Sequence, residues 1–224
     1  MMKKFNKILI IIAIILVFLG ATLLIFKQNK KDDDNFKEES LINFNISNDI
    51  EHETSFILNN TYLVVVLKNN SNINIIKANL KVNFTSEEVN EEINMFLKNN
   101  KTLVLVKIPD NLINNILNEK IKITLDVIKE GETNFIDVTS LNKDVKYTTT
   151  LNNNYININI DGNNTTSKDI KLLMGNIIMY KNNKIVEAKT FGIENIKSKS
   201  SFSKVVSLSN VNYDKIEVYY TFAY

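Results

Sequence analysis

No cysteine, tryptophan or arginine occurs among the 224 residues of this chain, and it has one proline (Pro109), one histidine (His52) and five glycines. Each scarcity excludes something. Without cysteine there is no disulfide, no thiolate nucleophile, no lipid-modified cysteine and no thiolate ligand for a metal. Without arginine the chain lacks the planar fork that grips phosphates and guanine edges. A Ser-His-Asp triad would have to use His52, and no G-x-S-x-G elbow is present. His52 falls in the polar segment Asp49–Thr54 and reads as a solvated loop residue. The expectation is a protein that is not an enzyme, with no catalytic residues, no metal and no cofactor.

Asparagine, isoleucine and lysine take up the space instead, the bias of an AT-rich bacterial genome. The formal charge of +2 is unevenly spread. Residues 1–32 hold six lysines and one aspartate, which leaves 21 lysines against 24 acidic residues beyond them. A mildly acidic body without arginine is not expected to bind nucleic acid.

One long apolar run stands out. Residues 8–26 (ILIIIAIILVFLGATLLIF) carry no charge and follow Lys3, Lys4 and Lys7. As a helix these 19 residues would span ~28 Å, enough for a hydrocarbon core of ~30 Å. A cleaved secretory signal is the alternative, but its apolar region is shorter and ends in a small-x-small site, which Lys27-Gln28-Asn29 does not supply. The run therefore reads as a retained signal-anchor, with Ile8, Leu9, Leu16, Phe18, Leu23, Leu24 and Phe26 in the lipid. Lysines flank both ends, so the positive-inside count is nearly balanced. The short N-terminal side favours residues 1–7 in the cytoplasm and the bulk outside. Residues 27–40 (KQNKKDDDNFKEES) read as a polar linker. Asp32–Asp34 belong to that solvated stretch.

Beyond residue 40 the period is two. Ile42, Phe44 and Ile46 alternate with polar residues. So do Ala78–Phe84, Ile121–Val127, Ile156–Ile160 and Ile216–Phe222, the pattern of antiparallel strands with one wet face. Tyr62–Leu67 and Leu103–Val106 are apolar on both faces and should lie centrally. Asn69-Asn70, Asn99-Asn100, Asn182-Asn183 and Glu130-Gly131 read as hairpin turns, since asparagine tolerates positive φ. Ser86–Leu97 carries apolar residues at helical spacing but also reads as loop plus strand. Asn111–Asn118 has room for one helical turn.

A faint repeat recurs at roughly 90 residues. The segments from Tyr62 and from Tyr155 each open a strand, pass an Asn-rich turn and end a second strand on an aromatic. The fold expected is all-β: an N-terminal transmembrane helix, then two tandem antiparallel β-sandwiches, 41–142 and 143–224.

The stretch VVVLKNNSNINIIKANLKVNF (64–84) resembles the core of FxLYD-type and related immunoglobulin-like domains of bacterial membrane-anchored surface proteins. Residues 176–220 resemble their later strands. The Asp-Gly that usually follows the second strand is missing: Thr85-Ser86-Glu87 and Lys181-Asn182-Asn183 stand there. The resemblance implies an envelope-attached sandwich and no catalytic residues.

Few surface features remain as candidates. Glu87, Glu88, Glu91 and Glu92 lack the glycine turn of a calcium loop and read as a hydrated segment. Asn-x-Ser/Thr triplets at Asn45, Asn59, Asn69, Asn83, Asn163 and Asn164 are expected by chance in so Asn-rich a chain. Tyr219, with Tyr213 and Tyr224, is the candidate binding patch on the outer face of the last strand. The function expected is a non-catalytic interaction or scaffolding module at a bacterial cell membrane, docking another envelope protein or a wall polymer. A ligand- or carbohydrate-binding sensor is the alternative.

Overall fold

Period-two alternation persists in space. The computed structural model describes residues 41–224 apart from 59, 133, 134 and 137. The apolar run at 8–26 lies outside the described residues. Among those described, no helix is long and apolar enough to cross a membrane.

Among the described residues thirteen strands form four sheets. In the first lobe, β1 (Leu41–Asn45), β7 (Lys120–Glu130), β4 (Ile75–Asn83) and β5 (Glu88–Phe96) lie side by side in that order. They face a sheet of β2 (Ile50–Ile57), β3 (Tyr62–Asn69) and β6 (Lys101–Lys107). In the second lobe, β13 (Lys215–Ala223), β10 (Ile170–Lys181) and β11 (Lys184–Ile196) face β8 (Lys146–Asn152), β9 (Tyr155–Asn163) and β12 (Ser201–Ser209). The order β7-β4-β5 over β2-β3-β6 recurs strand for strand as β13-β10-β11 over β8-β9-β12. The repeat in the sequence is thus a repeat of topology.

Each lobe encloses its own core. Leu63, Val65, Leu80, Val82, Ile121 and Ile123 fill the first, and Ile156, Ile158, Ile160, Ile177, Phe191 and Tyr220 the second. A third apolar layer lies between them. The outer face of β2-β3-β6 (Ile57, Val64, Val66, Leu103) packs on the outer face of β11-β10-β13 (Ile178, Tyr180, Ile185, Tyr219). This explains why Tyr62–Leu67 is apolar on both sides: one face of β3 serves its lobe's core and the other the seam.

Several local expectations change. β1 pairs with β7 in parallel, so the sheets are not wholly antiparallel. Ser86–Leu97 forms strand β5, because Val89 and Ile93 lie opposite Val82 and Ala78 on β4 and pairing overrides the helical spacing. Asn111–Asn118 does hold a single 3-10 turn, Ile116–Asn118. The short helix α1 (Thr139–Lys143) packs beside β13. His52 is on strand β2 rather than in a loop, its ring stacked on Phe44 of β1 at 3.7 Å.

Of the Asn-rich turns, Asn182-Asn183 makes the hairpin expected, with φ of 51° and 61° between paired Lys181 and Lys184. Asn69-Asn70 and Asn99-Asn100 do not. They carry the chain from one sheet to the other, and Glu130-Gly131 makes no hairpin either: Gly131, with φ 147°, leads the chain out of β7 toward α1.

Asn69 has a different role. Fully buried, it donates from Nδ2 to the carbonyls of Ile73 (3.0 Å) and Phe96 (3.2 Å) and accepts from the N–H and hydroxyl of Ser71. Asn164 repeats this arrangement: Nδ2 donates to Lys168 O (2.8 Å) and Lys197 O (3.0 Å), and Oδ1 accepts from the N–H and hydroxyl of Thr166. The Asn-x-Ser and Asn-x-Thr triplets at these two positions are therefore not chance. Each is the pin of a crossover between sheets, where a buried amide satisfies the loop's backbone.

Candidate functional site

The two lobes differ at one place. In the first, β1 lies along the free edge of β7, pairing Ile42 to Ile121 and Phe44 to Ile123. Its side chains close the sandwich, and Ile121 and Ile123 are fully buried. In the second lobe the corresponding edge is Ile216–Tyr219 of β13, and among the described residues no strand pairs with it. Ile216 and Val218 are only half-buried there.

The effect reaches the facing sheet. On β2 the inward positions opposite Leu63 and Leu67 are Phe56 and His52; Phe56 is half-buried and His52 is stacked on β1. On β8 the positions opposite Ile156 and Ile160 are Leu151 and Tyr147. Leu151 is 70% exposed although it points the same way as the buried isoleucines of β9. Every residue of β8 is exposed. A groove of about 370 Å³ lies between β8–β9 and the β12–β13 connection, lined by Thr149, Leu151, Ile156 and residues 210–213.

Side chains stand in for part of the missing strand. Tyr147 donates its hydroxyl to Ile216 O at 3.0 Å. Asn142 of α1 receives the Tyr220 N–H (2.6 Å) and donates to Tyr220 O (2.9 Å), as a neighbouring strand's backbone would. Ile136 donates its N–H to Ala223 O (3.0 Å). Val218, between these props, has no such partner along the open edge.

The three candidate tyrosines do not form one surface. Tyr213 lines the groove and packs against the second core. Tyr219 is buried in the seam, 7% exposed, with the Lys101 ammonium 5.8 Å from its ring centre. Tyr224 is half exposed and forms an edge contact with Phe135. In sequence the outer face of β13 reads as wet because the sheet that covers it lies over a hundred residues away. In the fold the first lobe covers it.

Around Tyr219 the rim of the seam is charged. Lys101 of β6 pairs with Glu217 of β13 at 2.5 Å, and Tyr180 lies between Glu217 (3.4 Å) and Glu53 of β2 (3.5 Å). Lys215 sits 4.9 Å over the Tyr180 ring. Burial, reinforced by Glu217, drives the Tyr180 and Tyr219 hydroxyls above the ordinary phenol range, and burial also raises the Glu53 carboxyl. Lys101 and Lys215 both pair with Glu217, while Glu53 meets only the Tyr180 hydroxyl, and the Lys101–Glu217 pair joins β6 of the first lobe to β13 of the second. Glu87, Glu88, Glu91 and Glu92 fall at and before β5, where Glu92 pairs with Lys77 (2.5 Å). No group of three potential metal ligands occurs among the described residues.

No family model matches this chain, and no curated protein matches it. Among solved structures it is similar to a crystal structure of red sea bream transglutaminase, at 7% identity and a TM-score of 0.26, over 79% of this chain and 29% of that one. The chain therefore spans less than a third of that protein's length, and a likeness this slight carries no argument about activity.

Proposed function

We propose that this is a single-pass protein of a bacterial cell envelope, anchored by residues 8–26, whose two immunoglobulin-like sandwiches form a non-catalytic interaction module outside the membrane. The apolar run and its lysine flanks support the anchor. The resemblance to FxLYD-type surface domains supports the setting. The observation that carries the interaction reading is the edge of β13: the matching edge of β7 in the first lobe pairs with β1, and among the described residues no strand pairs with that of β13.

The occupant has stated chemistry: an extended segment of another envelope protein, with apolar residues at alternate positions as in Leu41–Ile46. Added beside Ile216–Tyr219, it would complete the backbone ladder and bury Leu151, Val218 and Tyr213, while its alternating side chains read the groove. Two measurements test this. Protease added to intact cells removes the body of the chain if it lies outside and leaves it full length if it does not. A synthetic peptide of the β1 sequence binds the full chain, and Leu151→Lys weakens it at least about tenfold; tenfold is about 1.4 kcal/mol, within what one buried leucine contributes. Equal binding to both proteins would contradict the slot.

A further inference from the structure

Two residues that the repeat makes equivalent, Tyr62 opening β3 and Tyr155 opening β9, line one concavity. It measures about 390 Å³ and lies where the β2–β3 turn meets β11 and β12, the strands at the other edge of their sheets from β13 and β8. Leu58, Leu105 and Leu208 supply further apolar surface there. Leu58 is held at φ 52°, a left-handed conformation that a branched side chain rarely adopts, and is 42% exposed. Tyr155 is 57% exposed. Large apolar side chains thus stay in water around the cavity.

The rest of the lining is polar and carries both signs. Glu187 and Lys189 of β11 lie two residues apart, and Ser207 and Ser209 of β12 join them. Glu187 is 4% exposed, and its Oε1 accepts the Ala188 N–H at 3.0 Å. Lys189 donates to Ser207 O at 2.9 Å, and an ammonium has further donors to give. The Ser207 hydroxyl is directed to Asn157 Oδ1 at 2.6 Å. A carboxylate and an ammonium this near each other leave the lining without net charge, so it favours neither a cation nor an anion. What it offers is hydrogen-bond donors and acceptors beside two tyrosine rings.

We infer that this pocket binds a neutral sugar unit of an envelope glycan, a mono- or disaccharide in extent, with Tyr155 as the exposed stacking platform. A pyranose ring has the matching mixture of surfaces. Hydroxyls at its rim both donate and accept, and its C–H faces are apolar. The hydroxyls would donate to the Glu187 carboxylate and accept from the Lys189 ammonium, each a charge-assisted bond, while Tyr155 and Tyr62 take the C–H faces. A volume near 390 Å³, mostly apolar with a few placed polar groups, is that of a small-ligand site. The source named, a wall glycan, rests on the envelope setting proposed above. The chemistry of the pocket does not, and neither involves the β13 edge.

Ligand-detected NMR on the full chain tests it, in mildly acidic buffer and a detergent without a sugar headgroup. The probes are neutral chitobiose, its deacetylated dication and the dianion digalacturonate. Chitobiose is expected to bind more tightly than either charged disaccharide. Tyr155→Ala, a change at an exposed position, should weaken chitobiose at least about threefold and leave thermal unfolding unchanged. Glu187→Gln keeps the shape of the side chain and leaves Lys189 unbalanced. It should raise the affinity for digalacturonate relative to chitobiose at least about threefold. No binding of chitobiose, equal or tighter binding of a charged disaccharide by the parent chain, a smaller loss in Tyr155→Ala, or no such rise in Glu187→Gln would each overturn the assignment. Failure here strikes this pocket alone, whereas failure of the protease or β1-peptide measurement strikes the proposed function.

Discussion

The first and second lobes share one plan and differ in whether a strand closes it. The pinned crossovers at Asn69 and Asn164 are alike down to the hydroxyl that each amide accepts from. The edges are not. Ile121 and Ile123 are buried beside β1, while their counterparts Ile216 and Val218 lie half-buried on an edge that no described strand pairs with. Among the described residues, one lobe has a strand along this edge and the other has none. A duplicated fold can therefore serve two ends: one copy supplies a closed body, and the other presents an unfinished edge.

The strongest way to sharpen the likeness is to remove the pins. Asn69→Ala and Asn164→Ala each strip a buried amide from four hydrogen bonds. Each should cost about 3 to 4 kcal/mol in urea unfolding of the full chain, and the two values should agree within about 1 kcal/mol. A large loss at one site and a small one at the other would break the equivalence.

The difference between the lobes is tested next by one substitution at matching positions. Ile121→Ala removes a side chain that is 1% exposed and should cost about 3 kcal/mol; Ile216→Ala, at the open edge, should cost about 1 kcal/mol. Equal costs would mean that the second edge is as well covered as the first.

Leu151→Lys on β8 should change stability by less than about 0.5 kcal/mol, since the leucine is 70% exposed. The corresponding Phe56→Lys on β2 should cost well over 1 kcal/mol, because Phe56 packs against the first core.

The smallest effect is expected at Tyr220. Its ring packs edge-on against Phe191 and Phe202, which in turn lie against Gly175 and Gly162, where any Cβ would strike the rings at 2.4 Å. Its hydroxyl is buried with no hydrogen-bond partner, and burial pushes it up to about 12. Tyr220→Phe should therefore be neutral or stabilising by up to about 1 kcal/mol, as thermal unfolding would record.

The strands were legible because alternation is a local signal. Ile156, Ile158 and Ile160 announce one buried face with no knowledge of what covers it. The doubly apolar runs pointed to a central position for both β3 and β6; β3 is central, but β6 is an edge strand of its sheet, apolar on both sides because one face meets the first core and the other the seam between lobes. What stayed hidden was long-range. Nothing local says that β1 runs parallel to β7, or that Tyr219 turns into the seam. The Asn-x-Ser/Thr triplets were visible, but in a chain so rich in asparagine only their recurrence at matching places, Asn69 and Asn164, separates pins from chance. The open slot was unreadable for the same reason: it is a missing neighbour, and alternation in β13 looks the same with or without one.

The most direct test of the account is a photo-cross-linking amino acid placed at Leu151, in the slot, and in a second protein at Ile128, which is 54% exposed on the first lobe. Irradiated in intact membranes, the chain should give a discrete higher-mass adduct from position 151 and none from position 128. Adducts of equal yield from both positions, or from neither, would contradict the claim that the second lobe is built to receive a strand.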